Sequence, residues 1–142
     1  MPGTLVDPST LAVGGELEPF TYPPLTRTDI AKYQGASGDW HPLHHDEEYA
    51  RRAGFPTVFS VGMLQAGMLA SFVTSRFGVR GIRRFSVRFV EQVWPGDELT
   101  CSATVSSIAA QEDGRRLVEL ELRAIRQTGG VALSGKADLI LP

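Results

Sequence analysis

The sequence predicts an α+β domain in which a curved antiparallel sheet wraps a single apolar helix. Three observations carry that reading. Residues 61–77 are apolar around most of a helical circumference. Beyond them the apolar positions switch to a period of two, over four successive stretches. Between those stretches stand VWPGDE, QEDG and TGG, which are turn sequences and join neighbouring antiparallel strands.

Taken in chain order, residues 1–15 read as an irregular lead-in and residues 16–142 as one domain. ELEPFTYPPLT (16–26) contains three prolines, which restricts it to a short edge strand. Thr26 or Thr28 caps a short helix through about Tyr33, with Gly35 and Gly38 expected to end it. A polar loop comes next. Asp46 is an N-cap candidate, Glu47 and Glu48 suit the first turn of a helix, and Gly54 supplies its stop. In the central helix Val61, Met63, Leu64, Met68, Leu69, Phe72, Val73 and Phe77 surround the small Ala66, Gly67 and Ala70. Such a helix is expected to be buried on most sides. Phe85, Val87 and Phe89 then alternate with arginines and serine, and Leu99, Cys101, Ala103 and Val105 form the next inward row. Val118, Leu120, Leu122 and Ala124 come after it, and Val131, Leu133, Ala137, Leu139 and Leu141 close the series. Each row has one dry and one wet face, as in a meander covering a core on one side.

Composition removes several function classes. A chain of 142 residues, 42% hydrophobic, suits one domain with a substantial core. A net charge of −2 gives no footprint for nucleic acid or for an anionic membrane, so neither is expected as a partner. The single cysteine, Cys101, excludes an internal disulfide and a cysteine-only zinc site. The first fifteen residues lack the basic and apolar regions of a secretory signal, and the apolar run at 61–73 is interrupted by Gln65 and Ser71. A cytoplasmic location is the expectation.

The chemistry-bearing stretch is SGDWHPLHHDEEYA (37–50), which holds all three histidines of the chain. A metal site would draw on His41, His44 and His45 with Asp39 or Asp46. Pro42 interrupts that set, the adjacent His44 and His45 point in different directions, and no second cluster completes it, so no metal is expected. A polar turn without chemistry accounts for Asp46, Glu47 and Glu48 through capping and the helix dipole, and treats His45 as a surface or supporting group. It accounts less well for Asp39 and His44. Gly38 permits a sharp bend and Pro42 stiffens the link to His44, so a carboxylate and an imidazole can enter one space, as acid–base work requires.

The run Tyr33-x-x-x-Ser37-Gly38-Asp39-x-His41-Pro42-Leu43-His44 closely resembles the signature of the MaoC-like, (R)-specific enoyl-CoA hydratases. FPTVFSVGML (55–64) and RFVEQVWPGDELT (88–100) extend the resemblance over most of the chain from about residue 16. It implies the hot-dog fold, in agreement with the architecture read independently above. It also implies reversible hydration of a trans-2-enoyl thioester to an (R)-3-hydroxyacyl thioester, with no cofactor. By the same resemblance Asp39 and His44 hold and activate the water, and Gly62 at the start of the central helix offers its backbone N–H to the thioester oxygen. A glycine needed for close helix–sheet packing is an equally good and compatible reading of Gly62. Trp40, His41 and Ser60 are candidates for ordering the site or touching substrate. Two positions depart from the family pattern: His41 stands where asparagine is usual, and Val61 where histidine commonly precedes the glycine.

Arg76, Arg80, Arg83, Arg84 and Arg88 crowd the end of the helix and the first strand of the meander. Arg83, Arg84 and Arg88 are candidates to meet the phosphates of CoA with their forked donors, the alternative being a solvated strand face. The expected partners are an acyl-CoA thioester and a second chain. A homodimer is expected first, and a heterodimer with another hot-dog chain second. A narrower similarity, to actinobacterial hydratases acting on bulky or steroid-derived CoA thioesters, includes heteromeric members. A hot-dog thioesterase is the enzymatic rival. Such enzymes place a carboxylate on the central helix, and residues 61–77 contain none. A non-catalytic acyl-thioester-binding subunit is the rival from another class.

Overall fold

The computed structural model describes residues 3–142. Helix α1, Arg27–Ser37, starts in a full capping box: the Thr26 hydroxyl accepts from the Asp29 N–H and the Asp29 carboxylate accepts from the Thr26 N–H. The helix runs past Gly35, which was expected to help end it, and stops at Gly38, whose φ of 75° supplies the left-handed cap. A glycine inside a helix costs about 1 kcal/mol relative to alanine, and the caps at the two ends offset that. Only Ile30 and Gln34 of this helix are buried. A 3₁₀ turn, Pro42–His44, leads to helix α2, Glu47–Arg52, whose first turn is capped by the Asp46 side chain on the Tyr49 N–H, as expected.

Helix α3, Gly62–Phe77, is the central one. Leu69, Phe72 and Val73 are fully buried in it, and each such side chain contributes roughly 1.5–3 kcal/mol through burial. Burial is less complete than the composition implied: Met63, Gly67 and Ser71, one stripe at spacing four, remain exposed. Five strands wrap the other sides: β1 (Phe20–Thr21), β2 (Ile82–Phe89), β3 (Leu99–Ala110), β4 (Arg116–Arg126) and β5 (Val131–Leu141). All pairings are antiparallel, in the order β1-β3-β4-β5-β2. Strands β3, β4 and β5 thus form the expected meander, but VWPGDE does not join neighbouring strands as expected: β2 pairs with β5 at the opposite edge from β1. The register sets Cys101 opposite Ala124, Ala103 opposite Leu122 and Val105 opposite Leu120. All six are buried, so the inward rows read from the sequence form the core. The short edge strand expected near residues 16–26 is β1, reinforced by a bridge from Glu16 to Thr104. The lead-in includes a 3₁₀ turn, Pro8–Thr10, and is tied down where the Val6 N–H donates to the Arg76 carbonyl and the Gly14 N–H to the Val105 carbonyl.

The segment between β2 and β3 is fixed by Asp97. Its carboxylate accepts from Arg126 Nε (2.7 Å), the Trp94 N–H (2.8 Å) and Gln127 Nε2 (2.8 Å). Burial pushes the Asp97 carboxyl up, but these donors outweigh it and hold the group below its ordinary range. Arg126 also reaches Glu91 at 3.3 Å, which ties both ends of residues 91–97 to the end of β4.

Candidate active site

Three pieces of chain meet at the start of α3: the turn after α1, the extended segment before α3, and residues 89–93 with the beginning of β5. They enclose a cavity of about 280 Å³ whose lining includes His44, Phe59, Ser60, Gly62, Gln65 and Phe89. His44 is carried by the 3₁₀ turn that Pro42 opens. Its Nδ1 lies 2.7 Å from the Phe59 carbonyl, which can only accept, so Nδ1 carries the proton. Nε2 is the ring's other nitrogen, and it lies 4.0 Å from Asp39 Oδ2. The imidazole is largely buried, with 11% of the side chain exposed, whereas the Asp39 side chain is 44% exposed and lies outside the cavity lining. Asp39 Oδ1 accepts from the His41 N–H at 3.2 Å, which turns Oδ2 toward His44. A separation of 4.0 Å is too long for a hydrogen bond, and a water about 2.8 Å from each atom can bridge it.

The other sequence candidates fall into two groups. Gly62 is the first residue of α3, its N–H has no acceptor among the described residues, and it lines the cavity. A Cβ built there would lie 2.9 Å from Phe89 Cε1, so any larger residue would have to displace the half-exposed Phe89 ring. Ser60 is buried, and its hydroxyl serves the amide oxygen of Gln65 at 2.7 Å. His41 lies outside the cavity lining and caps the 3₁₀ turn, its Nδ1 accepting the Leu43 N–H at 3.2 Å. An asparagine oxygen at this position could make the same bond, and this is how an imidazole stands in for an amide. Trp40 is 62% exposed and also lies outside the lining. Val61 is the N-cap of α3 and makes no side-chain cap bond. The arginines are elsewhere. Arg84 and Arg88 alternate with the inward Phe85 and Val87, and Arg83 falls at an irregularity in the β2–β5 register, its guanidinium donating to the Arg80 carbonyl at 3.4 Å. None of the three lines the cavity.

Two buried glutamines were not singled out from the sequence. Gln65 sets its amide nitrogen against the Val61 and Gly62 carbonyls, so it holds the peptide unit whose N–H faces the cavity. Gln34 reaches the carbonyls of Asp39 and His41 from inside α1. Their partners are main-chain atoms, which leave no pattern in the residue types. Cys101 supplies no nucleophile: burial pushes its thiol up to about 12.

Residues 10–128 match the family model described as the MaoC like domain. The chain belongs to the MaoC-like dehydratase family. A mitochondrial 3-hydroxyacyl-[acyl-carrier-protein] dehydratase of Arabidopsis thaliana is 33% identical over 116 residues, 80% of this chain and 69% of that protein. An (R)-specific enoyl-CoA hydratase of Aeromonas caviae is 28% identical over 116 residues, 80% of this chain and 84% of the relative. The solved structure of an (R)-hydratase from A. caviae involved in PHA biosynthesis superposes with a TM-score of 0.79 at 27% identity, over 94% of this chain and 98% of that one. The sheet wrapped around α3 is thus the hot-dog fold of these MaoC-like proteins. No helix among the described residues is long and apolar enough to cross a membrane.

Proposed function

We propose that this MaoC-like chain interconverts a trans-2-enoyl thioester and its (R)-3-hydroxyacyl thioester, with Asp39 and His44 acting on one water. The observation that carries the reading is the pair of atoms His44 Nε2 and Asp39 Oδ2, 4.0 Å apart, with His44 and Gly62 on the wall of one cavity. Hydration needs a proton taken from water as it attacks C3 and a proton given to C2. Two proton-handling groups around one water supply both, and such groups typically contribute roughly 10²–10⁴-fold each. His44 is suited to take the first proton because the Phe59 carbonyl fixes its tautomer. Charge develops on the thioester oxygen in the transition state. The Gly62 N–H at the positive end of α3 is placed to meet it, a donor typically worth about 3 kcal/mol of barrier.

The named relatives act on acyl thioesters carried by CoA or by a carrier protein, and CoA is our first choice. Arg83, Arg84 and Arg88 are the candidates for its phosphates, reached from outside the cavity along β2. The working unit is a dimer. β2 is an edge strand, and Met63, Phe89 and Val90, each more than half exposed, surround it and the cavity. A second copy would cover this apolar rim and enclose an acyl chain; a different hot-dog chain could take the same place. A panel of short, long and steroid-like enoyl-CoA thioesters, with enoyl-carrier-protein counterparts, tests the reading through loss of the conjugated thioester absorbance. Turnover of at least one thioester that disappears in Asp39→Asn is expected. Hydrolysis of the thioester without hydration would replace the reading with a thioesterase. Light scattering combined with assays across dilution tests the dimer, and full activity at monomer mass would overturn it.

A further inference from the structure

The acid–base loop has an unusual anchor. Helix α1 is polar and mostly solvated, yet Gln34 within it is 1% exposed, as deeply buried as Ile30 one turn earlier. A buried amide must place two donors and an acceptor, and Gln34 places them all on the loop. Its Nε2 donates to the Asp39 carbonyl at 2.8 Å and, more weakly, to the His41 carbonyl at 3.4 Å. Its Oε1 lies 3.3 Å from His45 Nδ1, which must donate because the amide oxygen cannot. The main-chain carbonyl of the same residue accepts the Gly38 N–H that ends the helix. One side chain and its own peptide therefore grip residues 38, 39, 41 and 45, on both sides of His44.

We propose that Gln34, braced by His45, is the positioning residue of the acid–base pair, setting the separation between Asp39 Oδ2 and His44 Nε2. It touches neither water nor substrate. The inference rests on the hydration reading for its kinetic consequence but not for its geometry. The Asp39 side chain is 44% exposed, and besides the Gln34 bond to its carbonyl it is held by the His41 N–H on Oδ1 and by the Ser37 hydroxyl on its own N–H. Misplacement of a reacting group by about 1 Å typically costs about 10²-fold in rate.

Two variants test this in the full chain. Gln34→Met keeps the length and volume, removes every side-chain hydrogen bond and leaves the main-chain bond to Gly38 in place. It is expected to lower kcat about 10²-fold while KM stays within about threefold. Gln34→Glu retains the acceptor, but its carboxylate opposes two carbonyl oxygens, and only its protonated form can donate to one of them. Its kcat relative to wild type is therefore expected to rise as pH falls, which a loop staple of purely structural importance would not produce. A folded Gln34→Met with kcat within about threefold of wild type, or a Gln34→Glu ratio flat with pH, overturns the proposal; the second measurement decides if the first variant does not fold. Should the wild type hydrate no thioester, the hydration reading fails and the bracket is judged by nitrogen-15 and carbonyl carbon-13 NMR. A single Nδ1–H tautomer of His45 that survives in the folded Glu variant while the Asp39 and His41 carbonyl signals shift supports it, and unchanged carbonyl signals overturn it.

Discussion

The two walls of the cavity are held by opposite means. The wall carrying His44, with Asp39 4.0 Å from it, is a turn of side-chain chemistry held by hydrogen bonds that Gln34 donates and that the His41 Nδ1 and the Phe59 carbonyl accept. The wall formed by the start of α3 offers a main-chain N–H, and buried Ser60, Val61, Gln65 and Ala66 surround it. A main-chain donor tolerates changes in neighbouring side chains as long as the peptide keeps its plane. A side-chain pair depends on residue identity and on each bond that aims it. The first wall should therefore fail in activity before it fails in stability, and the second in stability first.

The largest test strikes the side-chain wall. Asp39→Asn and His44→Ala are each expected to lower hydration by roughly 10²–10⁴-fold without altering the circular dichroism spectrum. The double variant should be little worse than either single one, because the pair acts on one water. Near-wild-type turnover in a folded Asp39→Asn protein would remove the assignment. On the main-chain wall, Gly62→Ala forces a Cβ to 2.9 Å from Phe89 Cε1. Overpacking in a close-packed core typically costs about 1–3 kcal/mol. The half-exposed Phe89 ring can yield, so the loss should fall at or below the low end of that range, and thermal unfolding should show it. Adding Phe89→Ala should restore much of the loss, and strict additivity of the two changes would mean that the contact is not the cause.

A smaller effect separates the cap from the chemistry. His41→Asn preserves an acceptor for the Leu43 N–H and should keep most activity, whereas His41→Ala should cost about 1 kcal/mol, read as a lower unfolding midpoint. An unfolding midpoint for His41→Ala equal to that of wild type would show that the cap does not matter. The smallest change lies beyond both walls. Arg83→Ser with Arg84→Ser should raise KM for an acyl-CoA more than it lowers kcat, most clearly at low salt; an unchanged KM would return these arginines to a solvated strand face.

Much of this architecture was legible in the residue order, for a physical reason. Leu99, Cys101, Ala103 and Val105 alternate with polar residues because one face of β3 is dry, and period two is a direct result of the pleat. Asp39 and His44 stood out because their types, the bend at Gly38 and Pro42 are all local. Three features were not legible. The end of α1 lies later than Gly35 suggests, because a glycine reads as a breaker although this helix is secured by its caps. The exposed stripe of Met63, Gly67 and Ser71 was hidden because an apolar composition does not say which side of the helix the sheet leaves uncovered. Gln34 and Gln65 gave no signal because an amide's partners here are carbonyls, which every residue has.

The strand order has a bearing on synthesis. After α3 the chain crosses to the far edge to lay down β2, and among the described strands its sheet neighbour is β5, made after the other four. The cavity wall at Phe89 pairs with Leu133 in that register, 44 residues later (133 − 89 = 44). On the ribosome Asp39, His44 and Gly62 therefore emerge well before the surface that completes their cavity, and the apolar side of β2 waits without its partner. Deletions that never touch the acid–base loop, but shorten β5, should yield a nascent chain that engages chaperones and never closes the site.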